Sequence, residues 1–197
     1  MITFPDKALV INAISDLYSP LNETCKAELI ACSRLLSFDK ETILVKEGQF
    51  ADKSYFILKG CARAYYMKDG KDITDWFAFE NDFISSIHSF FLNVASPHFI
   101  QLLEPALLLE ISRDNVRKLS DKHHDFERLG SRIVTKTMFQ LQQRIVSMQF
   151  ETAQQKYKSL LQIRKDIPNR VPLTHIASYL GITLETLSRI RNPKNRI

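Results

Sequence analysis

Glu185, Ser188 and Arg189 offer the most specific chemistry in this chain, and it is the chemistry of nucleic-acid base edges. A glutamate can accept a hydrogen bond from cytosine N4, an arginine can reach guanine O6 and N7 or a phosphate, and a serine hydroxyl suits several bases. Leu184 can touch a thymine methyl group, and Thr183 opens the same run. Thr174, His175 and Arg191 suit phosphate oxygens, contacts that add affinity and register without reading sequence.

Such groups read DNA only when a helix presents them. Ile176, Ala177 and Leu180 lie at i, i+1 and i+4, the apolar face of one short helix. Gly181 then supplies a tight, left-handed turn that a Cβ would resist. Thr183 is the expected N-cap of a second helix, with Leu187 and Ile190 as its buried stripe. Small Ala177 lets the two helices cross closely. This specifies a helix-turn-helix whose second helix can lie in a major groove, Thr183 to Ser188 toward the bases. Pro172 takes the N-cap position of the first helix, where a missing N–H costs nothing. An ordinary helical hairpin in a core would satisfy the same apolar spacing, but not the polar and basic outer positions. Asn192-Pro193 should halt the second helix, and Ile197 close behind leaves little room for a C-terminal wing.

The charge distribution agrees. From Arg128 onward there are 13 Lys/Arg against three Asp/Glu, a net of +10, whereas residues 1–127 carry 14 against 19, a net of −5. The positive field therefore sits on the part that bears the helix-turn-helix, and phosphate binding there should weaken steeply with salt. At 197 residues and 45% hydrophobic, the chain can build one good-sized core and a small accessory domain. No apolar run is long enough to span a membrane, and the first residues lack the pattern of a signal peptide, so a cytoplasmic location is expected. Cys25, Cys32 and Cys61 are odd in number and show no paired spacing, which argues against a disulfide framework.

The first forty residues read as helical: Leu9, Ile11, Ala13, Ile14 and Leu17, a break at Ser19-Pro20, then Leu29, Ile30 and Leu36. From Lys40 to Ile111, β-rich runs at 42–45, 54–58, 61–67, 73–79, 99–103 and 107–111 alternate with turns marked by Gly48, Gly60 and Gly70. That predicts an antiparallel roll or small barrel. A long helix from about Asp121 to Gln149 should follow, with a seam of Phe126, Leu129, Ile133, Thr137 or Met138, Leu141, Ile145 and Met148. The seam is long for one small domain to cover, and a helix-turn-helix reading two half-sites needs two copies, so a homodimer interface is expected there. Intrachain packing is the alternative.

This layout resembles the Crp/Fnr family of bacterial transcription regulators, most closely a divergent branch typical of Bacteroidetes. The matching segments are Ile43-Leu44-Val45-Lys46-Glu47-Gly48, Tyr55-Phe56-Ile57-Leu58-Lys59-Gly60, Asp82-Phe83-Ile84, Leu109-Glu110-Ile111-Ser112 and, most specifically, Ile176 through Ile190. The resemblance implies an α+β chain in three parts: a cyclic-nucleotide-binding-like antiparallel double-stranded β-roll over 1–120, a dimerisation helix over 121–150 and a helix-turn-helix domain over 151–197. It implies a dimeric, sequence-specific regulator on double-stranded DNA, and it admits RNA polymerase as a further partner. Cyclic-AMP-binding members carry Gly-Glu after the Asp-Phe-Ile equivalent and an Arg-Ser or Arg-Ala pair about ten residues later. Here Ser85-Ser86 and Ser96-Pro97 stand instead. Without the arginine a buried phosphate lacks its charge-matched partner, so cyclic AMP is not expected and Ser85, Ser86 and Ser96 mark a degenerate effector pocket. Leu184 also replaces an arginine that reads guanine in better-known members, so their operator sequence does not carry over.

Cofactor chemistry finds little support. An iron–sulfur cluster needs four cysteines, and the chain has three. His123 and His124, adjacent on a helix, diverge too far to chelate one ion together, even with Cys25 or Asp121. A haem on His88, His98 or His175 would rest on a lone histidine. No cofactor or metal is assigned. A cupin-like enzyme would need an inward histidine triad, and the strand region supplies only His88 and His98, so no enzyme is expected. The remaining alternative is a regulatory module whose C-terminal helices contact protein instead of DNA.

Overall fold

The computed structural model describes residues 4–192. Helices α1 (Lys7–Leu17) and α2 (Glu23–Cys32) come first, capped by Asp6 and Asn22, whose side chains accept from the N–H groups of Ala8 and Cys25. Strands β1 (Arg34–Phe38), β2 (Ile43–Val45), β3 (Lys53–Lys59), β4 (Ala62–Lys68), β5 (Lys71–Ala78) and β6 (Phe83–Ile84) follow, then helix α3 (Ile87–Leu92), β7 (Phe99–Leu102) and β8 (Ala106–Ser112). They form two four-stranded sheets in the orders β1-β8-β3-β6 and β2-β7-β4-β5, antiparallel throughout. This is the expected roll, with two departures. Leu36, assigned to a helix from its spacing, lies in β1 opposite Leu108. Pairing with β8 overrides a local pattern too short to decide between periods. The short helix α3 between β6 and β7 had no sequence signal strong enough to be seen.

Side chains alternate across the strands and divide the interior into layers. Tyr55, Ile57 and Leu108 point between the sheets, joining Val45, Ala62, Ala64, Ile100 and Leu102. Phe56, Leu109 and Ile111 point the other way and bury the apolar faces of α1 and α2. On the opposite sheet Cys61, Phe77, Phe79 and Leu103 face outward and are covered by the C-terminal helices. Two turns depend on glycine. Gly60, between β3 and β4, has φ +102°, and a Cβ there would lie 2.9 Å from that of Ala106. Asp69 and Gly70 both have positive φ, the two-residue turn that matches strand twist in a hairpin such as β4–β5.

Helix α4 (Arg113–Lys122) ends at His123, whose extended backbone separates it from α5 (His124–Phe150). The long helix thus starts later than expected, because Asp121 belongs to α4. Its 27 residues extend for about 40 Å. The expected seam divides along this length. Phe126 and Leu129 are buried against α1, α2 and β8, with Ile133 partly so, and they belong to the chain's own core. Met138, Leu141 and Ile145 are exposed, together with Val134, Phe139, Val146, Met148 and Phe150. Beyond α5 lie α6 (Ala153–Ile163), α7 (Ile167–Arg170), α8 (Leu173–Leu180) and α9 (Leu184–Arg191). Among the described residues no helix is long and apolar enough to cross a membrane.

Candidate nucleic-acid interface and sensor pocket

The C-terminal unit is organised around the inner faces of α8 and α9. Ile176, Ala177, Leu180 and Leu187 are buried with Tyr157 of α6 and Ile167 of α7. Gly181 ends α8 in the left-handed conformation, φ 66°, and the N–H groups of Gly181 and Ile182 close onto the carbonyls of Ser178 and Ala177. Thr183 caps α9, its hydroxyl accepting from the N–H of Thr186. With the turn fixed and Leu187 inside, Thr183, Leu184, Glu185, Ser188, Arg189 and Arg191 all face solvent. Leu184, Glu185, Ser188 and Arg189 line one shallow depression on that surface. The carboxyl of Glu185 is held below its usual range by its own backbone N–H and by Thr183, so it presents an acceptor near neutral pH. Pro193 lies outside the described residues, as does the tail whose length bears on a wing.

Thr174 is exposed at the start of α8, but His175 departs from its expected role. Its Nδ1 lies 2.9 Å from a guanidinium nitrogen of Arg63 on β4. Arginine can only donate, so Nδ1 must accept and the ring is neutral. Burial, and then the Arg63 charge, lower its pKa. A neutral, half-buried imidazole turned toward the roll is no phosphate anchor.

Arg63 itself escaped sequence reasoning, because a lone cation in a strand run reads as solvent-facing. It is 4% exposed and bonds Asp72 at 2.7 Å, Gln101 at 3.0 and 3.1 Å and Thr74 at 3.3 Å, while its guanidinium lies 4.1 Å from the centre of the Tyr65 ring. Beside it the N–H of Thr74 donates to Ser178 of α8. A second junction is built on Arg170, which pairs with Glu80 at 2.6 Å, Glu104 at 2.7 Å and Asp166 at 2.9 Å. Burial alone would raise the Glu80 pKa, but hydrogen bonds from Arg170, its own N–H and that of Gly60 bring it down to about 2. Arg144 of α5 completes the frame, donating to the Tyr179 carbonyl at 2.9 Å while stacking on that ring. Helix α9 is therefore carried on a unit bonded to both roll and long helix.

In the roll, Ser86 donates to Ser96 at 2.8 Å, and Ser96 donates to the carbonyl of His98 at 2.8 Å. Both serines are buried, and Ser85 is half-buried. Of two further polar groups here, the sequence raised His98 only as a lone haem or cupin ligand and did not single out Arg113. His98 is 6% exposed with neither ring nitrogen bonded, its pKa lowered by burial, and Nε of Arg113 is likewise unpartnered. The neighbouring Nη1 of Arg113 holds the Ser89 carbonyl at 3.1 Å.

Residues 35–123 match the family of the cyclic nucleotide-binding domain. Solved structures similar to the chain include FixK2 from Bradyrhizobium japonicum (17% identity, 82% of this chain and 83% of that one, TM-score 0.70). CLP from Xanthomonas campestris, described as a c-di-GMP responsive global regulator, is 15% identical over 87% of this chain and 91% of its own, with TM-score 0.68. A crp/fnr-family regulator from Eubacterium rectale is 17% identical over 86% and 82%, with TM-score 0.68. No curated protein matches the sequence. The chain is thus a cyclic nucleotide-binding-type roll joined to C-terminal helices. Its fold is that of the Crp/Fnr-type transcriptional regulators.

Proposed function

We propose that this chain is a dimeric, sequence-specific DNA-binding transcription regulator of the cytoplasm whose roll does not take cyclic AMP. The observation that carries the proposal is the exposed outer face of α9, where an acidic acceptor, a hydroxyl, an apolar side chain and two guanidinium groups face solvent on a helix anchored by Leu187. Val134, Met138, Leu141, Ile145 and Met148 support the dimer: they are exposed and spaced by four, three, four and three residues, the period of a two-helix seam. Pairing α5 with its copy would set two recognition helices on one duplex, where half-sites lie about one helical turn apart. Two serines spent on each other, at the place where a cyclic phosphate needs a cation, support the exclusion of cyclic AMP.

Selection of duplexes from a random library at two salt concentrations tests this reading. A two-fold symmetric motif should emerge, weaken steeply as salt rises, and be lost in Arg189→Ala, for which a guanine contact is worth about 1–3 kcal/mol. Absence of retention at either salt would sink the proposal in favour of a protein partner for α8 and α9.

A further inference from the structure

Three groups outside both sites converge where α2 meets the junction of α4 and α5. Cys25, His123 and Asp125 each offer one ligand atom, a sulfur, an imidazole nitrogen and a carboxylate oxygen, all within 4.8 Å of one another. Cys25 is wholly buried and His123 is 8% exposed, so neither is there as surface decoration. Each is already oriented. Nε2 of His123 lies 3.1 Å from Oε2 of Glu28, which leaves Nδ1 for another partner. The Asp125 carboxylate accepts from the N–H of Asn22 at 2.5 Å and of Phe126 at 3.1 Å. Cys25 is fixed by the helical core around it. An imidazole whose second nitrogen meets a carboxylate is the outer-shell arrangement that fixes the tautomer and ring of a metal ligand.

We propose that Cys25, His123 and Asp125 bind one transition-metal ion of the zinc class, with a fourth position left to water or an external ligand. Sulfur with imidazole selects zinc-like ions over magnesium or calcium, which take oxygen. Metal–ligand bonds of about 2.0–2.3 Å in a tetrahedral site place ligand atoms roughly 3.5 Å apart, so the groups need to draw in by little more than an ångström. The Cys25 thiol is pushed up to about 11 by burial and by the charges of Asp125 and Glu28. Binding therefore releases its proton to solvent as the sulfur–metal bond forms. The sequence weighed the pair His123-His124 with Cys25 or Asp121 and assigned no metal; the fold sets Asp125 beside Cys25 and His123, because Asp121 sits on α4 while Asp125 lies in the first turn of α5. His123 is the extended residue between those two helices, φ −126° and ψ 107°. An ion held there ties α2 to the hinge from which α5 departs.

Titration of the purified full chain with Co2+ as the probe tests the site without reference to DNA. One equivalent should bind and show a thiolate-to-cobalt charge-transfer band, and Zn2+ should displace it. The band should vanish in Cys25→Ser, persist in Cys32→Ser and Cys61→Ser, and require at least tenfold more cobalt in His123→Gln. At a Zn2+ concentration about a hundredfold above Kd, the melting temperature should rise by roughly 5–10 °C. A wild-type chain with no thiolate band would overturn the proposal, as would a band surviving in Cys25→Ser. Should that variant not fold, the wild-type and His123→Gln titrations still decide.

Discussion

Arg63 lies 112 positions from His175 in the chain, yet the two meet at 2.9 Å across the junction of roll and C-terminal unit. Removing such a cation leaves Asp72, Gln101 and His175 without their donor. Arg63→Met should cost about 3 kcal/mol, read by denaturant unfolding. The same contact has a pH signature. The folded ring has its pKa lowered from 6.5, so below 6.5 the unfolded chain binds a proton that the folded chain resists. The stability it contributes is present above that pH and declines as pH falls through it. His98 has the same sign. Glu80, brought from 4.5 to about 2, adds a second decline between those values, because the unfolded carboxylate protonates first. Thermal melts from pH 8 to pH 3 should show both declines, and His175→Gln should flatten the upper one. In sequence His175 looked like any polar residue on an amphipathic helix. Nothing local reveals that a distant arginine claims it.

At the scale of elements, α5 carries two apolar stretches in series. Its first three turns belong to the α1–α2 core, and from Val134 onward its apolar side chains meet solvent, with Phe150 77% exposed. A charge placed in that stripe should abolish self-association while sparing the fold. Ile145→Lys is expected to sediment as a monomer with an unchanged circular dichroism spectrum, and a variant that remained dimeric would remove α5 as the seam. The turn of the helix-turn-helix is equally specific. Gly181 has φ +66°, and an added Cβ would lie 3.1 Å from the terminal methyl of Met148. Gly181→Ala should destabilise the chain by about 1–2 kcal/mol, seen as a lower melting temperature. Period and glycine placement made both elements legible. The division of α5 was not, because a stripe facing its own core and a stripe facing solvent share one hydrophobic spacing.

Across the whole molecule, the roll stands between two helical units and is bonded to each. Arg170 gathers Glu80, Glu104 and Asp166, Arg63 gathers His175 and Asp72, and Lys136 of α5 reaches Asp82 at 3.1 Å. Arg170 thus ties the roll to α7 by ion pairs, and Arg63 ties it to α8 by a hydrogen bond to the neutral His175 ring. Arg170→Met should leave the roll intact but loosen the docked unit. Hydrogen exchange should quicken in α7 and α8 and stay unchanged in β3 and β8. Uniform quickening would instead mean that Arg170 serves global stability alone.

The sequence by itself determined what local rules govern. Gly181 and Thr183 marked the turn and cap of the helix-turn-helix, the spaced glycines and β-rich runs marked the roll, and periodic apolar residues marked the long helix. Each depends on backbone geometry within a few residues. Only the tertiary structure decided which polar groups were free. Glu185, Ser188 and Arg189 face solvent, whereas His175, Ser86 and Ser96 are held by partners, and Cys25 lies beside His123 and Asp125. The physical reason is that a side chain's charge and reach are fixed by its type. Its partner depends on which distant segments the buried apolar faces bring together.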